Sequence, residues 1–442
     1  MKIVHLLGWY FPDAVGGTEV YVQALCQRMR GVGHEVLVAA PIATGAATAT
    51  YLHDGTTVFR YAIAGEPTRD EAYSRVPVRG AEIFYDWLSA QRPDLLHVHS
   101  FSTGVSLPEL REAKRLGIRV IATCHLPGLG FMCRTGELMQ WGRTPCDGIV
   151  VAHKCAACNL TRLGMPQPAA WLAGAVPVGV GRALRQIPGR VGTTLGMSAS
   201  VMEYAAMQEE LFALVDRFVV LNETARQMLV ANGSPASKLV VNRLGVSHAT
   251  THTKPGPDRQ PTRTPVRFGY VGRLHPSKGL VELVRAARAV PRDVPFVLEI
   301  RGPDHSQDAA SFKETLRRLA QGDARITLLP GVRSSEVPQT LAKIDALLCP
   351  SIWFENGPTV ALEATAVGTP VIGSRVGNLC EIVDDGVNGR LVQAGDVTAW
   401  SRALEHVARD PAGTIDHWRC NLARPRTMDE ITRDYLRLYD AA

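Results

Sequence analysis

Two carboxylates stand eight positions apart in Glu355-Asn-Gly-Pro-Thr-Val-Ala-Leu-Glu363, across a glycine–proline pair that suits the start of a helix. Pro358 fits the first helical position, where its missing N–H would have had no intrahelical acceptor. Gly368 and Pro370 close the segment, so the pattern predicts a helix from about Pro358 to Ala366. Free N–H groups and the helix dipole make such a start attractive to an anion. Asn356, Gly357, Pro358, Thr359 and Val360 form the approach to it. Glu355 before the helix and Glu363 within it flank the same place. An acid beside a phosphate needs a neutral partner on the ligand, such as sugar or ribose hydroxyls. The combination fits a nucleotide sugar.

A second group of residues points to the same ligand. Arg273 and Lys278 flank a turn between Gly272 and Gly279 that follows the apolar run Phe268-Gly-Tyr-Val271. Such a pair is ordinarily a solvated face, but glycines that let backbone approach, placed after a strand, mark a phosphate site. Gly16 and Gly17 lie between a first strand and a helix that Thr18 is expected to cap, which suits a second anion site. The run is not Gly-x-Gly-x-x-Gly, which counts against a dinucleotide oxidoreductase. His125 follows the apolar run Val120-Ile-Ala-Thr-Cys124. His97 and His99 share one face of a strand, and a packed or hydrogen-bonded pair is their expected state. No Asp-x-Asp appears to hold a magnesium diphosphate.

Glu355-x7-Glu363, the segment from Phe268 to Gly279, the stretch from Val371 to Glu381 with Asp385 to Gly389, and the Gly16-Gly17 loop together resemble the family 4 retaining glycosyltransferases of the GT-B fold. The resemblance implies two Rossmann-like domains facing a cleft, with a last helix returning to the first domain. It implies that Arg273 and Lys278 clamp the donor diphosphate, Glu363 holds ribose hydroxyls, Glu355 holds the donor sugar and His125 stands against that sugar. With no second acid placed as a nucleophile, front-face transfer without metal is expected, the leaving phosphate helping to deprotonate the acceptor. The acceptor class implied is a glycan or lipid-linked glycan. Asn356 stands where many relatives carry Phe, which leaves sugar specificity open. A GT-B nucleotide-sugar epimerase or hydrolase, and a non-catalytic glycan- or membrane-binding protein, are the alternatives. Intact Arg273, Lys278, Glu355 and Glu363 oppose the last.

Five of the nine cysteines fall between positions 124 and 158. Cys133, Cys146, Cys155 and Cys158 have the spacing C-x12-C-x8-C-x2-C, with Cys155-Ala-Ala-Cys158 expected as a knuckle. In a reducing compartment such clustering favours a metal over disulfides, zinc first and an iron–sulfur cluster second. Reduced cysteines in a loop are the alternative. Residues 159–202 carry Arg162, Arg182, Arg185 and Arg190 with Trp171, Leu172, Val176, Val178 and Val180, and no acid. Both a helical excursion on the first domain and an interfacial patch for an anionic leaflet fit this stretch.

The rest of the chain must position these groups. At 442 residues it is too long for one core. Short apolar runs at 3–8, 35–40, 95–99, 119–124, 217–222 and 239–244, separated by helical stretches such as 18–29, predict a parallel sheet covered on both faces. The rhythm restarts at 266–271, 295–301, 325–329, 345–349 and 370–373. The expected domains are 1–250 with a cysteine insert at about 126–160, a proline-rich linker at 251–264, 265–425, and a terminal helix in 426–442. A net charge of +6 without interleaved basic and aromatic residues argues against nucleic-acid binding. The first apolar run is too short for a signal peptide, and the longest uncharged stretch falls short of a membrane span. A cytoplasmic chain is expected, with the inner face of the plasma membrane as a place of contact.

Overall fold

A computed structural model of the chain describes residues 1–13, 16–43, 47–125, 128, 133–246, 262, 264–303 and 307–441. The chain divides into two compact units: Met1–Gly142 with Cys146–Arg243 and Met428–Ala442, and Arg143–Pro145 with Leu244–Thr427. Apart from residues 262 and 264, the segment read as a linker lies outside the described residues, as do 126–127 and 129–132 of the cysteine insert.

The first unit is built on strands β1 (Lys2–Leu6), β2 (Glu35–Ala43), β3 (Ala49–His53), β4 (Thr56–Ile63), β5 (Leu95–Val98), β6 (Arg119–Cys124), β7 (Arg217–Val220) and β8 (Leu239–Val241). Their order across the sheet is β8-β7-β6-β5-β1-β2-β4-β3, parallel except at β3, which pairs antiparallel with β4. The central strands are near-continuous apolar runs because helices cover both faces; every residue of β5 is buried. The β3–β4 hairpin departs from the all-parallel expectation. It turns at Asp54-Gly55, both with positive φ, the dipeptide that two-residue hairpins favour.

Helix α1 (Gly17–Gly31) follows β1. Gly16 is its N-cap and no side chain caps it, so Thr18 lies inside the helix and does not cap it as the sequence suggested. Helix α2 (Ala152–Arg162) carries Cys155 and Cys158, and α3 (Met197–Leu214) packs near it. The terminal helix (Met428–Ala441) belongs to this unit, burying Tyr435 and Tyr439 completely. The Tyr435 hydroxyl lies 2.8 Å from Thr123 Oγ1, and the Tyr439 hydroxyl lies 2.5 Å from His97 Nδ1.

The second unit holds β9 (Val266–Val271), β10 (Phe296–Gly302), β11 (Ile326–Pro330), β12 (Ala346–Cys349), β13 (Val371–Ser374) and β14 (Gly389–Val392). The order is β11-β10-β9-β12-β13-β14, all parallel. Alternation splits β12 between two cores: Ala346 and Leu348 join Phe268, Phe296 and Trp400 on one face, whereas Leu347 and Cys349 join Val371 and Leu379 on the other. Burying one such large apolar side chain contributes about 1.5–3 kcal/mol. The two cores fix the carboxyl ends of β9, β12 and β13, from which the site loops spring.

Candidate active site

Past β9 the chain passes Arg273 and winds through a 3₁₀ turn at Pro276–Lys278. His275 Nδ1 accepts from the Ser277 N–H at 3.2 Å, and the Tyr270 hydroxyl donates to the Arg273 carbonyl at 2.7 Å. Gly279 has φ +67°, and a Cβ there would lie 2.0 Å from the Pro350 carbonyl oxygen. Only glycine lets this turn press against the loop that leaves β12. The Ile352 N–H donates to the Ser277 carbonyl at 3.0 Å and ties the two loops together.

The β12 loop delivers Glu355, a buried carboxylate. Lys278 Nζ lies 2.5 Å from its Oε1. The Ser351 hydroxyl donates to the same oxygen, and Trp353 Nε1–H does so at 3.2 Å. The Lys278 ammonium also lies 5.4 Å from the Trp353 ring centroid, within cation–π range. A third loop braces the backbone: the Asn378 N–H donates to the Glu355 carbonyl at 2.7 Å. Gly377, at φ +51°, makes room for that carbonyl, since a Cβ would meet it at 2.3 Å. Ser351, Trp353 and Gly377 were not singled out from sequence. Spacings of four and two residues before Glu355, in a loop after a buried strand, were the available signal for the first two.

Asn356 and Pro358 are buried beside Glu355, and helix α4 (Thr359–Ala366) follows. Pro358 is its N-cap rather than its first residue, and no side chain caps the helix start where Thr359 and Val360 lie. Gly357 connects Asn356 to that cap. Glu363 sits half-buried on α4 with no hydrogen-bond or ion-pair partner among the described residues, and burial raises its pKa. Arg273 is exposed and its guanidinium likewise has no ion-pair partner among the described residues. These loops thus bring together the exposed Arg273 guanidinium, the Lys278 ammonium bonded to Glu355, a helix start without a side-chain cap and the half-buried Glu363 carboxyl. That set is suited to phosphate on one side and hydroxyls on the other.

Gly16, Gly17 and His125 belong to the first unit. The Glu19 carboxylate already supplies negative charge at the start of α1, its Oε2 lying 2.6 Å from where a Gly16 Cβ would be. Half-buried His125 is joined to two buried histidines: His5 Nδ1 is 2.9 Å from His99 Nε2, and His99 Nδ1 is 3.2 Å from His125 Nε2. His97 is bonded at both nitrogens, to the Tyr439 hydroxyl and to Thr123 Oγ1 at 2.8 Å. The ligand atoms of His5, His97 and His99 lie within 4.8 Å of one another. With every ring nitrogen of His97 and His99 engaged, however, the trio is a hydrogen-bonded core and not a metal site. His5 Nε2 is buried with no partner. A lone pair there costs less than an orphaned N–H, so protons run from His5 Nδ1 to His99 Nε2 and from His99 Nδ1 to His125 Nε2. His125 then keeps its own proton on Nδ1. Burial holds His125 neutral, with its pKa lowered to about 3.

Two parallel α/β units, one with an Arg/Lys-lined carboxylate site at its strand ends, define the GT-B class of fold. Residues 258–421 match the family model for glycosyl transferases group 1, and residues 15–172 match that for glycosyltransferase family 4. The chain belongs to this family of glycosyltransferases. The D-inositol 3-phosphate glycosyltransferases of Mycobacterium tuberculosis and Mycobacterium bovis are 30% identical over 217 residues, 47% of this chain and 44% of theirs. The match therefore spans less than half the length of those relatives. Among solved structures, sucrose-phosphate synthase from Thermosynechococcus elongatus superposes with a TM-score of 0.67 at 18% identity over 100% of this chain and 99% of that one. Anabaena HepE in complex with UDP and glucose gives 0.61 at 13% identity over 100% of both chains. At these identities the likeness is one of fold.

Proposed function

We propose that the protein is a retaining glycosyltransferase that moves a sugar from a nucleoside-diphosphate donor to a glycan or lipid-linked glycan. The observation that carries this reading is the Lys278–Glu355 pair, its carboxylate buried, on the turn that also carries exposed Arg273. Lys278 has three N–H donors and spends one on Glu355, leaving two for a donor phosphate. Arg273 adds a planar fork for the same diphosphate. Both bonds strengthen as the leaving phosphate gains charge, so they act on the transition state more than on the bound donor.

Glu355 holds hydroxyls of the donor sugar and offsets positive charge at the anomeric carbon, whose transition state is oxocarbenium-like. Glu363 accepts from the ribose. The acceptor attacks from the face the phosphate leaves, and that phosphate takes the acceptor proton. On the family resemblance, neutral His125 is assigned to stand against the donor sugar. The chain's own cations thus do the work a diphosphate-bound metal would do. Thermal-shift screening across UDP-, GDP- and ADP-sugars, followed by turnover with the stabilising donor, tests the reading; bound donor raises apparent stability by mass action. No stabilisation by any of them would sink it.

The lipid-linked acceptor draws support from the first unit's helical excursion, Gln167–Leu195. Trp171, Leu172, Val180, Ile187 and Val191 are exposed there, alongside exposed Arg182 and Arg190. Arg162 and Arg185, counted with this basic stretch from sequence, are instead ion-paired with Glu137 and Glu203. Exposed apolar and cationic side chains together suit the interface of an anionic leaflet at the inner face of the plasma membrane. Among the described residues no helix is long and apolar enough to cross a membrane. Sedimentation with anionic vesicles should fall when Leu172 becomes Glu; a wild-type protein that ignores such vesicles would contradict the contact.

A further inference from the structure

Four cysteines from the stretch 133–158 line one cavity of about 40 Å³ in the first unit. Cys133, Cys146, Cys155 and Cys158 line it together with Arg134, Lys154 and Asn159. None of the four is in a disulfide. Each comes from a short, defined piece of backbone. Cys133 opens a tight turn whose Gly136 N–H returns to the Cys133 carbonyl at 2.9 Å. The chain then folds back so that the Cys146 N–H donates to the Leu138 carbonyl at 2.8 Å. Cys155 and Cys158 stand one turn apart on α2, which packs Ala156 and Leu160, with Cys155 against the same cluster, on Met197 and Val201. They are helical residues, not the knuckle their spacing suggested.

The thiols sit in a local hydrogen-bond network: Cys146 Sγ donates to Asp147 Oδ1 at 3.6 Å and Cys158 Sγ to the Met139 carbonyl at 3.5 Å. The Trp141 N–H donates to Cys158 Sγ at 3.2 Å. Arg134 and Lys154 also line the cavity, Lys154 being paired with Asp147 at 2.7 Å.

We propose that Cys133, Cys146, Cys155 and Cys158 form a structural zinc site. Zinc suits the donor set, since four thiolates satisfy its tetrahedral shell and leave no open position for chemistry. Among the described residues the only trio of candidate ligand atoms already within 4.8 Å of one another is the histidine core. The thiols therefore ring the cavity at wider spacing and must draw in by side-chain rotation. Binding would cross-link the turn at Cys133, the loop at Cys146 and α2. The site stands apart from the proposed transfer chemistry and does not depend on it.

The test is metal content and ligand type in the full chain. Protein purified without chelator should hold about one zinc per chain, retained in Cys420→Ser and lost in the Cys155→Ser, Cys158→Ser pair. Because the double variant can fail to fold, a second measurement is made on wild type. Metal-stripped protein titrated with Co²⁺ should give thiolate-to-cobalt charge-transfer bands and tetrahedral ligand-field bands. Substoichiometric zinc together with no such bands would overturn the proposal. Stoichiometric iron with acid-labile sulfide would overturn it equally, in favour of a cluster.

Discussion

Lys278 Nζ and Glu355 Oε1 lie 2.5 Å apart, although 77 residues separate them in sequence. Each positions the other, so removing either has two consequences. Lys278→Ala should lower turnover by about 100-fold, because a charged donor aimed at the leaving group is lost. It should also lower stability by roughly 1–3 kcal/mol, since Glu355 keeps Ser351 and Trp353 as donors but loses its cation. Arg273→Ala should lower turnover similarly with stability within about 0.5 kcal/mol, because Arg273 is exposed. Glu363→Ala should raise the donor KM more than it lowers kcat. Steady-state kinetics beside urea unfolding separates these three outcomes, and near-normal turnover in Arg273→Ala would reject the clamp.

Gly377 gives a test of the third loop. Alanine there would have to hold φ at +51° and place Cβ 2.3 Å from the Glu355 carbonyl oxygen. The two demands should shift Glu355 and reduce kcat by about 10-fold or more, as small misplacements of catalytic groups do. Gly322→Ala, where a Cβ meets nothing within 4 Å, shares the positive φ and serves as the control for backbone strain alone. Equal loss in both variants would mean that strain, not the Glu355 carbonyl, sets the effect.

The second unit's site was readable because its parts are local. Glycine–proline before a helix, an acid on each side and basic residues around a glycine turn each carry chemistry over a dozen residues or fewer. Contacts assembled across strands were not readable. His5, His97, His99 and His125 come from three adjacent strands, and only the sheet order places β1 beside β5 and β5 beside β6. The β3–β4 hairpin was signalled by Asp54-Gly55 and passed over, because β3 is largely exposed and lacks the apolar runs by which the other strands were found.

The histidine core predicts a pH dependence. Burial lowers the pKa of His5 and His125 from 6.5 to about 3, and lowers those of His97 and His99 well below 6.5. Below 6.5 the unfolded chain takes up protons that the folded chain refuses. The stability these groups contribute is therefore complete above that pH and is lost as pH falls towards 3. Each histidine adds a slope of up to about 1.4 kcal/mol per pH unit. Urea unfolding followed from neutral to mildly acidic pH should show that slope, and His5→Asn should make it shallower. A slope unchanged in His5→Asn would show that His5 is protonated in the folded protein.

The stereochemistry of transfer tests the central claim most directly. Proton NMR of the product formed from the stabilising donor should show the donor's anomeric configuration kept, with turnover persisting in EDTA and falling about 100-fold in Lys278→Ala. A product with the inverted anomeric configuration would contradict front-face transfer at the Lys278–Glu355 site.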